Sequence, residues 1–165
     1  MTADSQAYRQ FIEDTGDMID EHGLPHMAGR VVGVLLVCVP PHRSLDELAD
    51  ELQASKGSIS MATQLLLRLG MIERISVPGE RRHYYRLLPD VWSRVFAQRN
   101  DHVERHCQIA RHGLELLQGE PVEAKERLLE MLVFFDFVVD ELPGFAERWR
   151  TRRDALMAKR VNEYR

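Results

Sequence analysis

Residues 45–87 read LDELADELQASKGSISMATQLLLRLGMIERISVPGERRHYYRL, and the way this stretch folds decides the rest of the chain. Ser44, just ahead of it, stands three residues before Glu47, the spacing of a capping box in which hydroxyl and carboxylate each bond the other residue's amide. A helix from Leu45 to Leu52 follows, with Leu45, Leu48, Ala49 and Leu52 on one face. Gln53-Ala54 is a tight corner, Ser55 can cap a further helix running to about Leu69, and Gly70 ends it. Met71–Val77 and Arg82–Leu88 are rich in β-branched and aromatic residues and flank Pro78-Gly79-Glu80, which predicts a β-hairpin. Helix, corner, helix and hairpin in that order make a winged helix-turn-helix.

The segment S-K-G-S-I-S, Ser55 to Ser60, is small and polar where a packed helix would carry its first apolar anchor. On a helical wheel Ile59, Ala62, Leu65, Leu66 and Leu69 form the core-facing stripe. Lys56, Gly57, Ser58, Ser60, Met61, Thr63, Gln64 and Arg68 are left outward. A recognition helix in the DNA major groove needs this distribution, because its N-terminal residues contact base edges. Glycine and serine allow close approach, and the free amides of the helix start favour a phosphate. Ser58, Ser60 and Gln64 can read base edges, whereas Lys56 and Arg68 suit phosphates. Arg81, Arg82 and His83 follow the hairpin turn and are placed for the DNA backbone or a narrow minor groove. Alternation along the second strand puts one of Tyr84 and Tyr85 on the core and the other in solvent.

Outside this stretch the chain reads as helices. An amphipathic helix from Gln6 to His22 is stopped by Gly23, and an apolar helix begins at Pro25 and ends before Pro40-Pro41. Beyond Pro89, helices are expected over about Asp90–Leu117, Val122–Leu142 and Phe145–Tyr164, separated by Gly119-Glu120-Pro121 and Pro143-Gly144. The fold class is therefore mostly α with a small β-hairpin. A winged helix-turn-helix DNA-binding domain occupies residues 25–89, between an N-terminal dimerisation helix (1–24) and a C-terminal helical dimerisation domain (90–165). The dimer is expected because the terminal helices carry more apolar surface than the small core can cover.

The net charge of −4 hides a gradient. Residues 1–52 sum to −7, residues 53–94 to +4 and residues 95–165 to −1, so the single positive block coincides with the quoted stretch. Local charge, not the total, sets where a polyanion docks. The first residues show no apolar leader and no run is long enough to span a bilayer, so a cytoplasmic location without membrane contact is expected.

The run A-G-R-V-V-G-V-L-L-V-C, with S-L-D-E-L-A-D-E-L, S-K-G-S-I-S, L-G-M-I-E-R and P-G-E-R-R-H-Y-Y-R-L after it, resembles the MarR superfamily of bacterial transcription regulators. Within it the likeness is to the GbsR-like branch and to actinobacterial MarR-like repressors of lipid-exporting efflux pumps, over about Phe11 to Val139. The resemblance implies a homodimer with interlocked terminal helices that binds a pseudo-palindromic operator in double-stranded DNA. It also implies release of DNA when a small ligand binds between the dimer helices and the winged domain. Ser55 to Gln64 would take the recognition role and Arg81-Arg82 the wing role. The usual wing has a glycine after its arginines; here His83 stands there.

Three further groups carry possible chemistry. Met131, Phe134 and Phe137 lie in an apolar run that suits a dimer core and could also line a cavity for a lipophilic effector. His102 and His106 share a helix face, with Cys107 adjacent, which could serve a metal- or thiol-responsive sensor; no third ligand is evident, so no metal site and no cofactor are expected. No phosphate loop, nucleophile triad or paired carboxylates point to an enzyme. A protein-interaction winged-helix module is the other alternative, and would want a more apolar, less basic face on Ser55–Arg68.

Overall fold

The structure is a computed structural model that describes residues 3–98 and 100–165, with side chains for residues 5–96 and 103–165. Among the described residues it holds seven α-helices and three short strands: α1 (Ala3–Asp20), α2 (His26–Val37), β1 (Arg43–Ser44), α3 (Leu45–Leu52), α4 (Lys56–Arg68), β2 (Ile72–Ser76), β3 (His83–Leu87), α5 (Val91–Gln98), α6 (Asn100–Leu116) and α7 (Val122–Glu163). They form two compact units, one through Val95 and one from Phe96 to Arg165.

The first unit is built around α2. From Met27 to Cys38 this segment has one charged residue, Arg30, and Ala28, Val31, Val32 and Val34 have no exposed surface at all. A helix apolar on all sides must be enclosed. Accordingly α1, α3, α4 and β3 pack against it. The approach of α1 depends on glycine: a Cβ on Gly29 would fall 2.7 Å from Gly16 Cα and 2.8 Å from Ile19 Cβ.

The expected corner and hairpin are present. Gln53 turns the chain from α3 with φ 50° and ψ 43°, left-handed values uncommon for a residue with a side chain. Strands β2 and β3 pair antiparallel, from Ile72 opposite Leu87 to Ser76 opposite His83, and Gly79 takes φ +85° in the turn. The short strand β1 has no counterpart in the expected elements; it pairs with β3, Arg43 opposite Tyr85 and Ser44 opposite Tyr84, giving the order β1-β3-β2.

That third strand overturns the expected alternation of the two tyrosines. Tyr85 joins the core at 5% exposure, and Tyr84, which alternation would then place in solvent, is also buried at 8%. The chain leading into β1 provides its cover, with the His42 ring edge-on to Tyr84 at 5.0 Å.

In the second unit α6 and α7 pack against each other closely enough that Leu128 Cδ1 lies 2.8 Å from where a Cβ on Gly113 would be. The single helix expected over Asp90–Leu117 corresponds to α5 and α6. The break expected at Pro143-Gly144 does not occur, since α7 continues through Pro143 as one helix of 42 residues, about 63 Å long. Proline's fixed φ is helical, so it removes one backbone bond without ending the helix. No residue of α7 is buried.

Gly29→Ala should cost about 1–3 kcal/mol of stability, because the added methyl meets backbone that cannot give way. Gly57→Ala, whose new Cβ would have only Ser55 Oγ near it at 3.9 Å, should cost nothing; denaturant unfolding of the two variants checks the contrast.

Candidate DNA-binding site

The site begins with two helix caps. Ser44 Oγ accepts from the Glu47 amide at 3.3 Å, and Glu47 Oε2 accepts from the Ser44 amide at 2.7 Å, completing the capping box of α3. The Ser44 amide and hydroxyl bonds hold the Glu47 carboxyl below the usual carboxylate range, with Arg43 and Arg82 adding to the effect. Ser55 Oγ accepts from the Ser58 amide at 3.1 Å and so starts α4. Ile59, Ala62 and Leu66 then bury the inner face of α4 against α2 and α3.

What the core does not use faces outward. Ser55, Lys56, Gly57, Met61, Gln64 and Arg68 lie on this side, Met61 at 70% exposure, and Ser58 and Ser60 are half-buried. Thr63 is a correction: expected outward, it is 1% exposed. Its hydroxyl donates to the carbonyl of Ile59 at 2.9 Å, which satisfies the polar atom within its own helix and lets the side chain sit in the core. Gln64 Nε2 reaches Ser60 Oγ at 3.4 Å, so two of the base-reading candidates lie side by side.

The wing brings Arg81, Arg82 and His83 together as exposed residues at the turn and the start of β3. Two other cations of the positive block are engaged elsewhere: Arg86 Nε bonds Glu73 Oε1 at 2.7 Å across the hairpin, and Arg74 lies over the Tyr85 ring at 5.9 Å. One partner carries no signal in the sequence. Asp46, in the first turn of α3, meets Lys56 with Oδ1 2.6 Å from Nζ; only the corner at Gln53 brings positions ten apart in sequence into contact.

A second candidate region lies on α7. Met131, Phe134 and Phe137, the three residues expected to contact a lipophilic molecule, line one open groove of about 690 Å³ together with Val133 and Phe135, bordered by Arg127 and Glu130. Phe134 and Phe137 are 58% and 61% exposed.

The model of the MmpR5-like MarR family of transcriptional regulators matches residues 90–152. The HTH-type transcriptional regulator MmpR5 of Mycobacterium tuberculosis is 36% identical over 138 residues, covering 82% of this chain and 84% of its own length. The chain belongs to the MarR family of transcriptional regulators. YvaV of Bacillus subtilis, a putative HTH-type regulator, is 26% identical over 144 residues, 80% of this chain and 79% of its own. A crystal structure of a transcriptional regulator superposes with a TM-score of 0.72 at 33% identity, covering 88% of this chain and 99% of the other. As a MarR-family member the protein is a DNA-binding regulator with a winged-helix fold, and its relatives are regulators, not enzymes.

The residues of the metal- and thiol-sensor alternative are placed only in part. The His102 side chain lies outside the described residues, and His106 stacks on Phe135 at 4.3 Å. Cys107 is 3% exposed, and burial with the neighbouring Asp136 carboxylate pushes its thiol up, away from the reactive thiolate. Asp136 itself bonds Arg111 at 2.7 Å. Among the described residues, no three His, Cys, Asp or Glu side chains are grouped to hold a metal ion, and no helix is long and apolar enough to cross a membrane.

Glu47, with its lowered folded pKa, stabilises the fold above the ordinary carboxylate range and stops doing so as pH falls through the folded value. Glu47→Ala should therefore cost about 1 kcal/mol near neutral pH. The gap to the parent should narrow as pH drops below the ordinary value of 4.5, read from denaturant unfolding at several pH values.

Proposed function

We propose that the protein is a homodimeric, ligand-responsive repressor that binds a pseudo-palindromic operator and leaves it when a lipophilic molecule binds. The observation that carries the DNA half is the outer face of α4, open from Ser55 to Arg68 and polar or basic apart from Met61, beside a wing tip bearing Arg81 and Arg82. In this reading Ser58, Ser60, Met61 and Gln64 face the bases, Ser55 and Gly57 let the helix start approach a phosphate, and Lys56, Arg68, Arg81, Arg82 and His83 hold the backbone. Thr63 is removed from the set by its burial. Two such helices would enter successive major grooves roughly 34–36 Å apart.

The dimer is supported by apolar surface that one chain leaves open. On α7, Val133, Phe134, Phe137, Phe145, Leu156 and Met157 are half or more exposed, and on α1 Phe11 and Met18 are 40% exposed while the opposite face packs on α2. A chain that stays monomeric rarely exposes this many large apolar side chains. Residues 1–24 and 90–165 are accordingly assigned to dimerisation and 25–89 to DNA. The groove at Met131, Phe134 and Phe137 has aromatic and methionine walls with Arg127 and Glu130 at its border, which suits an acyl chain with a polar head. The resemblance to regulators of lipid-exporting pumps supports a transport operon as the target and the cytoplasm as the place of action.

Arg81→Ala with Arg82→Ala should weaken binding to a mixed-sequence duplex and flatten the dependence of log K on log salt by up to about 1.8, roughly 0.9 for each phosphate no longer neutralised. An unchanged slope would remove the wing from the interface. Sedimentation of the parent should give twice the chain mass of 19.1 kDa, and Phe134→Glu with Phe137→Glu should shift it towards the monomer; a parent that sediments at 19.1 kDa would refute the dimer.

A further inference from the structure

Lys56 opens the recognition helix, and the structure gives its ammonium a carboxylate of the same chain. Asp46 Oδ1 lies 2.6 Å from Nζ, and both side chains are solvent-exposed, Lys56 at 70% and Asp46 at 47%. The pair is not isolated. Asp50, one turn further along α3, also attracts the Lys56 ammonium, while Arg82 of the wing lies close enough to lower the Asp46 carboxyl and oppose the charge on Lys56. Arg82 acts on Glu47 as well. The start of α3 and the start of α4 thus meet at the Asp46–Lys56 contact, and Asp50 and Arg82 of the wing act on that pair electrostatically.

We infer that Asp46 is an internal competitor for DNA phosphate: it occupies Lys56 in the unbound protein, and Lys56 exchanges this carboxylate for a phosphate oxygen on the duplex. The chemistry of the exchange is nearly symmetrical for Lys56, because both partners are single-charge oxygen acceptors. It is not symmetrical for Asp46. Released beside the DNA backbone, Asp46 keeps its charge, recruits a cation and is repelled by neighbouring phosphates. The cation taken up by Asp46 offsets the one released from the phosphate that Lys56 neutralises, so Lys56 adds little net counterion release in the parent protein. Asp46 thereby lowers affinity for DNA of any sequence and leaves discrimination to groups that face the bases, such as Gln64.

The inference rests on Lys56 being a phosphate ligand, and one set of measurements separates the two ideas. Affinity for a short mixed-sequence duplex is measured across a salt series for the parent, Asp46→Asn, Asp46→Asn with Lys56→Ala, and Asp46→Glu. Asp46→Asn is expected to bind several-fold more tightly than the parent at moderate salt, with its log–log slope steeper by about 0.9. Adding Lys56→Ala should return the slope to that of the parent, and Asp46→Glu should behave as the parent does. If Asp46→Asn leaves affinity and slope unchanged or weakens binding, while the added Lys56→Ala still flattens the slope, Lys56 contacts phosphate but Asp46 does not compete, and the inference falls. If adding Lys56→Ala changes nothing, Lys56 is not a phosphate ligand, and both ideas fall. Thermal unfolding of each variant removes any contribution from fraying of α3, whose first turn favours an acidic residue.

Discussion

The enclosure of α2 is the constraint from which the rest of the first unit follows. A helix with Arg30 as its sole charge buries most of its surface, and α1, α3, α4 and β3 surround it up to Leu36 and Val37 near its end, which stay exposed. Each of them therefore turns its apolar stripe inward, and α4 must present its polar start to the outside. Arg30 is accommodated at the edge: Nη2 donates to the Leu52 carbonyl at 3.2 Å, and Nε lies 2.9 Å from Glu13. The one cation of the central helix thus satisfies a carbonyl at the end of α3 and ties α1 to the same point. A second link runs from the Tyr8 hydroxyl to Glu51 and from Glu51 to Arg43 Nε at 3.1 Å, joining α1, α3 and β1.

Charge on the DNA-facing side has to be read after its internal pairings. The block from residue 53 to 94 is +4 by count, yet Arg86 is bonded to Glu73 and Lys56 to Asp46, the latter carboxylate coming from outside the block. Arg68, Arg81 and Arg82, three of the cations proposed to meet a duplex, remain exposed.

The elements set by neighbours in sequence are legible in it. The capping box at Ser44 and Glu47, the cap at Ser55, and the Pro78-Gly79 turn are local devices, and the structure has each where the residues place it. The expectations that fail share a different cause. Thr63 is polar by its hydroxyl, but a threonine that bonds the carbonyl four residues back can occupy a core position as valine would. Strand alternation exposes Tyr84 only when one face of a sheet is open, and the chain entering β1 closes that face. Pro143 looks like a stop, although proline's φ is compatible with a continuing helix. Of the site, the outward residues of α4 and the wing are visible in the sequence. The Asp46–Lys56 pair is not, because a left-handed Gln53 creates the contact and glutamine gives no signal for that conformation.

The second unit poses the complementary problem. A 42-residue helix with no buried residue has few supports among the described residues of its own chain: the face it shares with α6, where Gly113, Leu128, His106 and Phe135 meet, and the Phe96–Phe145 ring pair with α5. The same side chains, Phe134 and Phe137, are assigned both to subunit contact and to an effector. The two proposed roles would be compatible if pairing with a second copy left this groove on α7 only partly filled. In the proposed dimer, a lipophilic molecule entering it would replace aromatic contacts between subunits, and its differential affinity for two subunit arrangements would set how far it could shift the balance between them. Arg127 and Glu130 at the border would make that affinity sensitive to the polar head of such a molecule as well as to its chain. An effector of this kind would be selected first by length, through the aromatic walls, and second by charge, at the rim.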